Sequence, residues 1–290
     1  MTTIPPPIPD SHPPTAFVPP PGACDAHCHV FGPADRFPFA PDRRYTPPDA
    51  GVDDLMRLHA RLGLERAVIV QASCHGTDHA ALLDGLRRAE GRYAGVAMID
   101  EATPDAELDE LHEAGVRGTR VNFVAHLGGA PDAHALERIV ARAAERGWHL
   151  DLHLDATDVA GYAPLLALLP CPYIIDHMGR ADAAAGLDQE PFRVLLGLLR
   201  DDDRCWVKLS GAERVTAGGP PPYDDVVPFA QALIAAAPDR LLWGTDWPHP
   251  NVRQMPDDGD LLDLLAALAP DDTVRHRILV DNPTRLYELG

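Results

Sequence analysis

Short apolar runs and amphipathic stretches alternate through almost the whole of this sequence, and few architectures accept such a rhythm. The runs are Cys24–Val30, Ala67–Val70, Ala94–Ile99, Gly118–Phe123, His149–Leu154, Tyr173–Asp176, Cys205–Leu209 and Leu241–Trp243. Helix-period segments lie between or after them at Asp78–Glu90, Pro104–Ala114, Ala133–Arg146, Val159–Leu169, Pro191–Leu199, Val226–Ala236, Leu261–Leu268 and Thr273–Tyr287. Apolar strands separated by helices predict a parallel sheet covered by those helices. Eight such units predict a closed (β/α)8 TIM barrel of the α/β class, within the reach of a single 290-residue domain. A doubly wound open sheet is the alternative, but no glycine-rich phosphate turn supports it.

Ahead of the first strand, residues 1–22 carry nine prolines and no periodicity. They predict an extended arm, lying on the body or disordered, and the barrel then occupies residues 23–290. The stretch Phe31–Gly51, rich in Pro, Gly and Asp, is too long for an ordinary connection. A long loop directly after a strand that carries candidate site residues is expected to form part of the site. The 25 basic and 44 acidic residues give a net charge of −19. Such a surface repels nucleic acid and anionic membranes, and it accepts an anionic small molecule only where arginines gather. No run of eighteen apolar residues offers a membrane span, and the proline-rich start does not read as a signal peptide. Five scattered cysteines without a CxxC pair read as reduced, packed thiols, so a cytoplasmic protein is expected. By alternation Cys24 and Cys28 fall on one side of the first strand.

In a barrel of this kind the reactive groups sit at the C-terminal strand ends. The first strand supplies His27 and His29, two residues apart and therefore on one face. The second runs into Ser73, Cys74 and His75, and the fourth gives Arg120 and Asn122 with His126 shortly after. The fifth supplies His153, and the sixth Asp176 and His177 with Arg180 beyond. The seventh ends in Lys208-Leu209-Ser210-Gly211 followed by Arg214, and the eighth in Gly244-Thr245-Asp246-Trp247-Pro248-His249. Histidine, arginine or aspartate at nearly every strand end favours an enzyme over a barrel kept only as a scaffold.

His27-x-His29, His153, His177 and Asp246 at those positions resemble the amidohydrolase superfamily. The long loop from Phe31 through Ala50, Asp176-His177-Met178-Gly179-Arg180, Lys208-Leu209-Ser210-Gly211 and Gly244 through Pro250 are more particular. Together they are similar to the 2-pyrone-4,6-dicarboxylate lactonase family, over almost the whole chain after the arm. The resemblance implies hydrolysis of a carboxylated lactone in aromatic-compound catabolism. Asp246 then takes the proton from water, and His27, His29 and His177 polarise the carbonyl directly or through a metal. Arg120, Arg180 and Arg214 are expected to hold the substrate's acid groups, with Tyr45 and Ser73 as neutral donors. His75, His79 and His249 are expected to be supporting or surface residues.

The resemblance leaves the cofactor open. The pyrone lactonases work without a metal and place a substrate-binding tyrosine on the fifth strand, where this chain has His153, a substrate contact if no metal is bound. His27, His29, His153 and Asp246 would complete a mononuclear zinc or manganese set, so the expectation is either no cofactor or one divalent metal. His126 stands where a second arginine is expected on the fourth strand, which points to a less charged substrate or a different placement of its acid groups. A metal-dependent decarboxylase of the same superfamily is the alternative chemistry. The oligomeric state is not readable from the sequence.

Overall fold

A computed structural model describes residues 4–124 and 129–290, so His126 lies outside the described residues. The strands are β1 (Cys24–Cys28), β2 (Arg66–Val70), β3 (Tyr93–Ala97), β4 (Val116–Asn122), β5 (His149–His153), β6 (Tyr173–Ile175), β7 (Cys205–Leu209) and β8 (Leu241–Trp243). They form one sheet in sequence order with every neighbouring pair parallel. Its two ends meet through the chain just beyond them, where Asp246 N donates to His27 O at 2.8 Å and His29 N to Trp247 O at 2.7 Å. The fold is therefore the expected (β/α)8 barrel rather than an open sheet.

The helices are α1 (Val52–Leu62), α2 (Ala80–Ala89), α3 (Asp105–Glu113), α4 (Ala133–Glu145), α5 (Ala156–Leu166), α6 (Glu190–Asp201), α7 (Ala212–Val215), α8 (Val227–Ala236), α9 (Asp258–Leu268), α10 (Asp272–His276) and α11 (Asn282–Tyr287). Two of these, α1 and the single turn α7, have no counterpart in the sequence expectation. The helix α1 is amphipathic, burying Val52, Leu55, Leu58 and Leu62, and it stops at Gly63 in the left-handed region, φ +75°. The long closing helix expected from Thr273 to Tyr287 is instead α10 and α11, joined through a wider turn over Arg277–Asp281. Among the described residues no helix is long and apolar enough to cross a membrane.

Strict alternation fails in β4, where Gly95 pairs with Val116 but Val96 with Gly118, and in β1. Asp25 pairs with Ala67 but Cys28 with Ile69, so β1 holds one extra residue in that interval. Such a bulge re-aims side chains. Cys24 packs with Val68, Val96, Ile174, Trp206 and Leu242, whereas Cys28 packs with the layer under the helices. The two cysteines therefore do not share a side, contrary to the alternation argument. The same extra residue turns His27 to the inside together with His29. Outside the barrel, Asp25 accepts from Thr245 N (3.0 Å) and Thr245 Oγ1 (2.6 Å), tying β1 to the end of β8.

The barrel interior is layered. At its base an apolar set including Trp206 and Leu242 is capped by Tyr287 and Leu289 from the C-terminal segment. Above it lie charged groups, Asp151 on β5, Asp176 after β6, Lys208 on β7 and Arg120 on β4, all buried. The residues before β1 do not float free. Ser11 Oγ donates to Asp258 Oδ2 (3.2 Å), His12 N to Asp257 Oδ1 (3.2 Å), and Thr15 N and Ala16 N to Asp263 Oδ1 (2.7 and 2.8 Å). Carboxylates at the start and in the middle of α9 thus satisfy backbone donors of a chain too rich in proline to pair with a sheet. The loop after β1 is closed at its base by reciprocal bonds of 2.8 Å between Phe31 and Ala50. It is tied to the loop after β2 by Ala40 N donating to Cys74 O (2.8 Å).

Candidate active site

Nine of the residues singled out in the sequence line one cavity at the C-terminal mouth of the barrel: His29, Tyr45, Ser73, Arg120, His153, His177, Arg180, Arg214 and Asp246. Pro250 and Asn251 complete its wall, and its volume is about 410 Å³ including space open to solvent. His27 lies just beneath the lining, wholly buried. His75, His79 and His249 do not reach the cavity. Their partners are Pro38 O, Glu107 with Met98 O, and Asp258 respectively.

Asp246 is the centre of the site. It sits in the left-handed region at φ +66°, a conformation that turns its side chain inward at some cost in backbone strain. Its Oδ2 accepts from Arg214 Nε at 2.7 Å, and Arg214 Nη2 faces the same oxygen. Its Oδ1 looks toward three imidazoles, with His29 Nε2 at 3.3 Å, His27 Nε2 at 3.6 Å and His177 Nε2 at 4.0 Å. Burial alone would raise its pKa, but the Arg214 guanidinium and the nearby imidazoles override it and hold the carboxyl well below the usual range. Asp246 is thus ionised, with one oxygen fixed and the other directed into the site.

Each imidazole has a different second partner, which decides what its inner nitrogen can do. His29 Nδ1 donates to Val70 O at 2.7 Å, leaving Nε2 toward Asp246. His177 Nδ1 bonds Ser210 Oγ at 2.9 Å. Burial pushes the His177 pKa down to about 4 even though Asp246 and Asp176 pull it up, so its ring is neutral near pH 7. His27 Nδ1 accepts from Lys208 Nζ at 2.9 Å. An ammonium only donates, so the single proton of a neutral His27 ring resides on Nε2. Burial, then the neighbouring Lys208 charge, holds His27 neutral by lowering its pKa well below the ordinary value.

Whether these residues suit a metal follows from the same inventory. His27, His29 and Asp246 bring ligating atoms within 4.8 Å of one another, close enough for one ion to bridge. His153 is not in that group. Its Nε2 accepts from Arg180 Nη1 at 3.2 Å and its Nδ1 bonds Asn122 Oδ1 at 3.3 Å. His27 presents a proton rather than a lone pair. Two of the four ligands expected from the sequence are therefore engaged otherwise, and the donor set does not fit a four-ligand mononuclear site.

Each cavity arginine already leans on an acid. Arg120 reaches Asp176 at 3.4 Å and Arg180 reaches Asp155 at 2.9 Å, while Arg214 is paired with Asp246. The Arg120 Nε is buried without a partner. Burial pushes the Tyr45 phenol pKa up, so it is a neutral donor. Sequence reasoning gave no role to Lys208, Asp151 and Asn122. The available signal was a lysine and an aspartate inside strands otherwise buried along their length.

Close approach of backbones positions the site across the seam. A Cβ on Gly244 would lie 2.5 Å from His27 N and 2.6 Å from its Cβ. Gly244→Ala is expected to cost about 1–3 kcal/mol by overpacking and to lower kcat by shifting His27 away from Asp246. Urea unfolding and steady-state kinetics on the same preparation check both parts. Wild-type stability would remove the packing argument.

The amidohydrolase sequence profile matches residues 24–289. The chain is 45% identical to a 2-pyrone-4,6-dicarboxylate hydrolase of Comamonas testosteroni, covering 92% of this chain and 90% of that protein. It is 46% identical to a 4-sulfomuconolactone hydrolase of Rhizobium radiobacter, covering 94% and 92%. A solved structure from Pseudomonas putida, described as a candidate 2-pyrone-4,6-dicarboxylic acid hydrolase, superposes with a TM-score of 0.82 at 33% identity, covering 93% of this chain and 98% of that one.

Proposed function

This chain belongs to the amidohydrolase family, and on that premise we propose that it opens a lactone bearing acid groups, by Asp246-assisted attack of water and without a metal. The substrate class is that of its relatives, a pyrone dicarboxylate or a sulfonated muconolactone. The observation that carries the reading is the division of labour on Asp246, with Oδ2 pinned by Arg214 and Oδ1 facing His29, His27 and His177.

Arg120 and Arg180 hold the acid groups of the lactone, exchanging their present carboxylate partners for the substrate's, with Tyr45 and Ser73 as neutral donors. Arg214 serves both the substrate and Asp246. The lactone carbonyl lies against the imidazole donors, where the Nε2–H of His27 stabilises the oxyanion as it forms. Asp246 Oδ1 removes a proton from water as the water oxygen bonds to the carbonyl carbon. Collapse of the tetrahedral intermediate breaks the ring C–O bond, and Asp246 returns its proton to the leaving oxygen. His153, held between Asn122 and Arg180, shapes the wall and positions Arg180. Residues 1–22 act as an arm and residues 23–290 as the catalytic barrel. Five buried cysteines, none in a disulfide, support a cytoplasmic setting.

Lactone opening creates a carboxylic acid, whereas a decarboxylase releases carbon dioxide without adding acid. A pH-stat with 2-pyrone-4,6-dicarboxylate and with 4-sulfomuconolactone is therefore expected to consume one equivalent of base per turnover of at least one of them. Activity unchanged after chelator dialysis, with less than about 0.1 transition metal per chain by elemental analysis, is the matching expectation for the donor set. Carbon dioxide release, or activity lost with the metal and restored by zinc or manganese, would overturn the proposal.

A further inference from the structure

One wholly buried charge lies behind the cavity rather than in its lining. Lys208, on β7, has no exposed surface, and three acceptors surround its ammonium. They are an Asp151 carboxylate oxygen, Asp176 Oδ1 at 3.2 Å and His27 Nδ1 at 2.9 Å. Two hydrogen bonds, to β5 and β1, and the charge of Asp176 at the end of β6 fix the ammonium in the middle of the barrel. On its far side His27 Nε2 has no hydrogen-bond partner within the protein and faces Asp246.

A second acceptor lies ready at the same ring nitrogen. Asp176 Oδ1 is 3.3 Å from His27 Nδ1. Were the ammonium absent, Nδ1 would carry the proton and donate it to Asp176. The Nε2 lone pair would then turn toward His29 and Asp246, whose ligating atoms lie within 4.8 Å of it. A histidine oriented by a carboxylate or a backbone carbonyl behind it is the usual form of a metal-ligating histidine. His29, with Nδ1 donated to Val70 O, already has that form.

We propose that Lys208 is a positioning residue that sets the tautomer of His27, making it a hydrogen-bond donor to substrate, and that removing the lysine charge turns His27, His29 and Asp246 into a divalent-cation site. The inference shares with the proposed function only the assignment of His27 as a carbonyl donor. Its central measurement needs no turnover.

The test is long-range 1H–15N correlation on protein labelled at histidine nitrogens, with His27 assigned by its loss in His27→Gln. In the wild type the His27 proton is expected on Nε2. In Lys208→Met it is expected to move to Nδ1, and zinc, measured by competition with a chromogenic chelator, is expected to bind at about one per chain and about tenfold or more tighter than in the wild type. Lys208→Met leaves Asp151 without its cation, while Asp176 keeps Arg120, so Lys208→Met/Asp151→Asn is made alongside to keep a folded variant in hand. A wild-type His27 protonated on Nδ1 overturns the proposal whatever the variants do. Zinc binding unchanged in a folded variant whose His27 has switched overturns its second half. A protein that shows the expected tautomers and zinc binding but opens neither lactone would leave this inference standing and remove the catalytic reading.

Discussion

Asp246→Asn is expected to lower kcat by about a thousandfold while leaving KM within a few-fold, because a positioned general base contributes about 10²–10⁴ to the rate. The amide is nearly isosteric, so circular dichroism should stay close to wild type, while urea unfolding should show the loss of the charge pair with Arg214. The amide retains an oxygen for Arg214 and loses, with the charge, the capacity to take a proton from water. A change confined to KM would mean that Asp246 binds substrate rather than activating water. A fall of less than tenfold would move the base to another group in the cavity.

Arg214→Met should have the next largest effect and should alter the pH profile as well as the rate. The guanidinium is the leading attractive influence on a buried carboxyl that burial alone would render neutral. Without it the Asp246 pKa rises, the base is protonated at higher pH, and the acid limb of kcat/KM moves upward. We expect kcat/KM near neutral pH to fall about a hundredfold from the lost charged contact alone. Leaving Asp246 without its principal partner is expected to cost about 3–5 kcal/mol of stability. The sign follows from a depressed native pKa: the stability is present above the unfolded carboxyl's pKa and lost as pH falls toward the native one. Arg214→Lys should return part of the pH profile but not the full rate, since an ammonium cannot fork to one carboxylate oxygen. An unshifted acid limb in Arg214→Met would separate Arg214 from the ionisation of Asp246.

Much of this architecture was legible because a parallel barrel writes its strands as apolar runs and its chemistry at their ends. Positions such as His177, Arg180 and Asp246 follow from counting strands. What could not be read was which nitrogen of a histidine is already engaged. His153 at the end of β5 looks like a metal ligand until Arg180 and Asn122 are seen on its two nitrogens. Lys208 is equally silent in the sequence, since its three partners come from β5, the end of β6 and β1 and meet only when the barrel is round. The extra residue in β1 has no composition signal, yet it separates Cys24 from Cys28. The helix α1 begins directly after the proline-rich loop, so its apolar spacing at Val52, Leu55, Leu58 and Leu62 adjoins a segment without periodicity. Composition does identify residues 1–22 as unfit for sheet or helix. That aspartates 257, 258 and 263 fasten them is a tertiary fact.

The seam between β1 and β8 also governs when the enzyme comes into being. His29 and Asp246, which touch across it, are separated by 217 residues of chain, and the carboxylates that fasten the arm are made later still. During synthesis the histidines leave the ribosome early and must wait through seven further strands for their aspartate. Nascent α/β units can acquire helices and packed strands in that interval while remaining unable to turn over substrate. Contacts so distant in sequence also form late in refolding, after local structure has gathered. Catalytic competence in this protein is therefore a property of the finished circle, and its appearance dates the last event of folding rather than the average one.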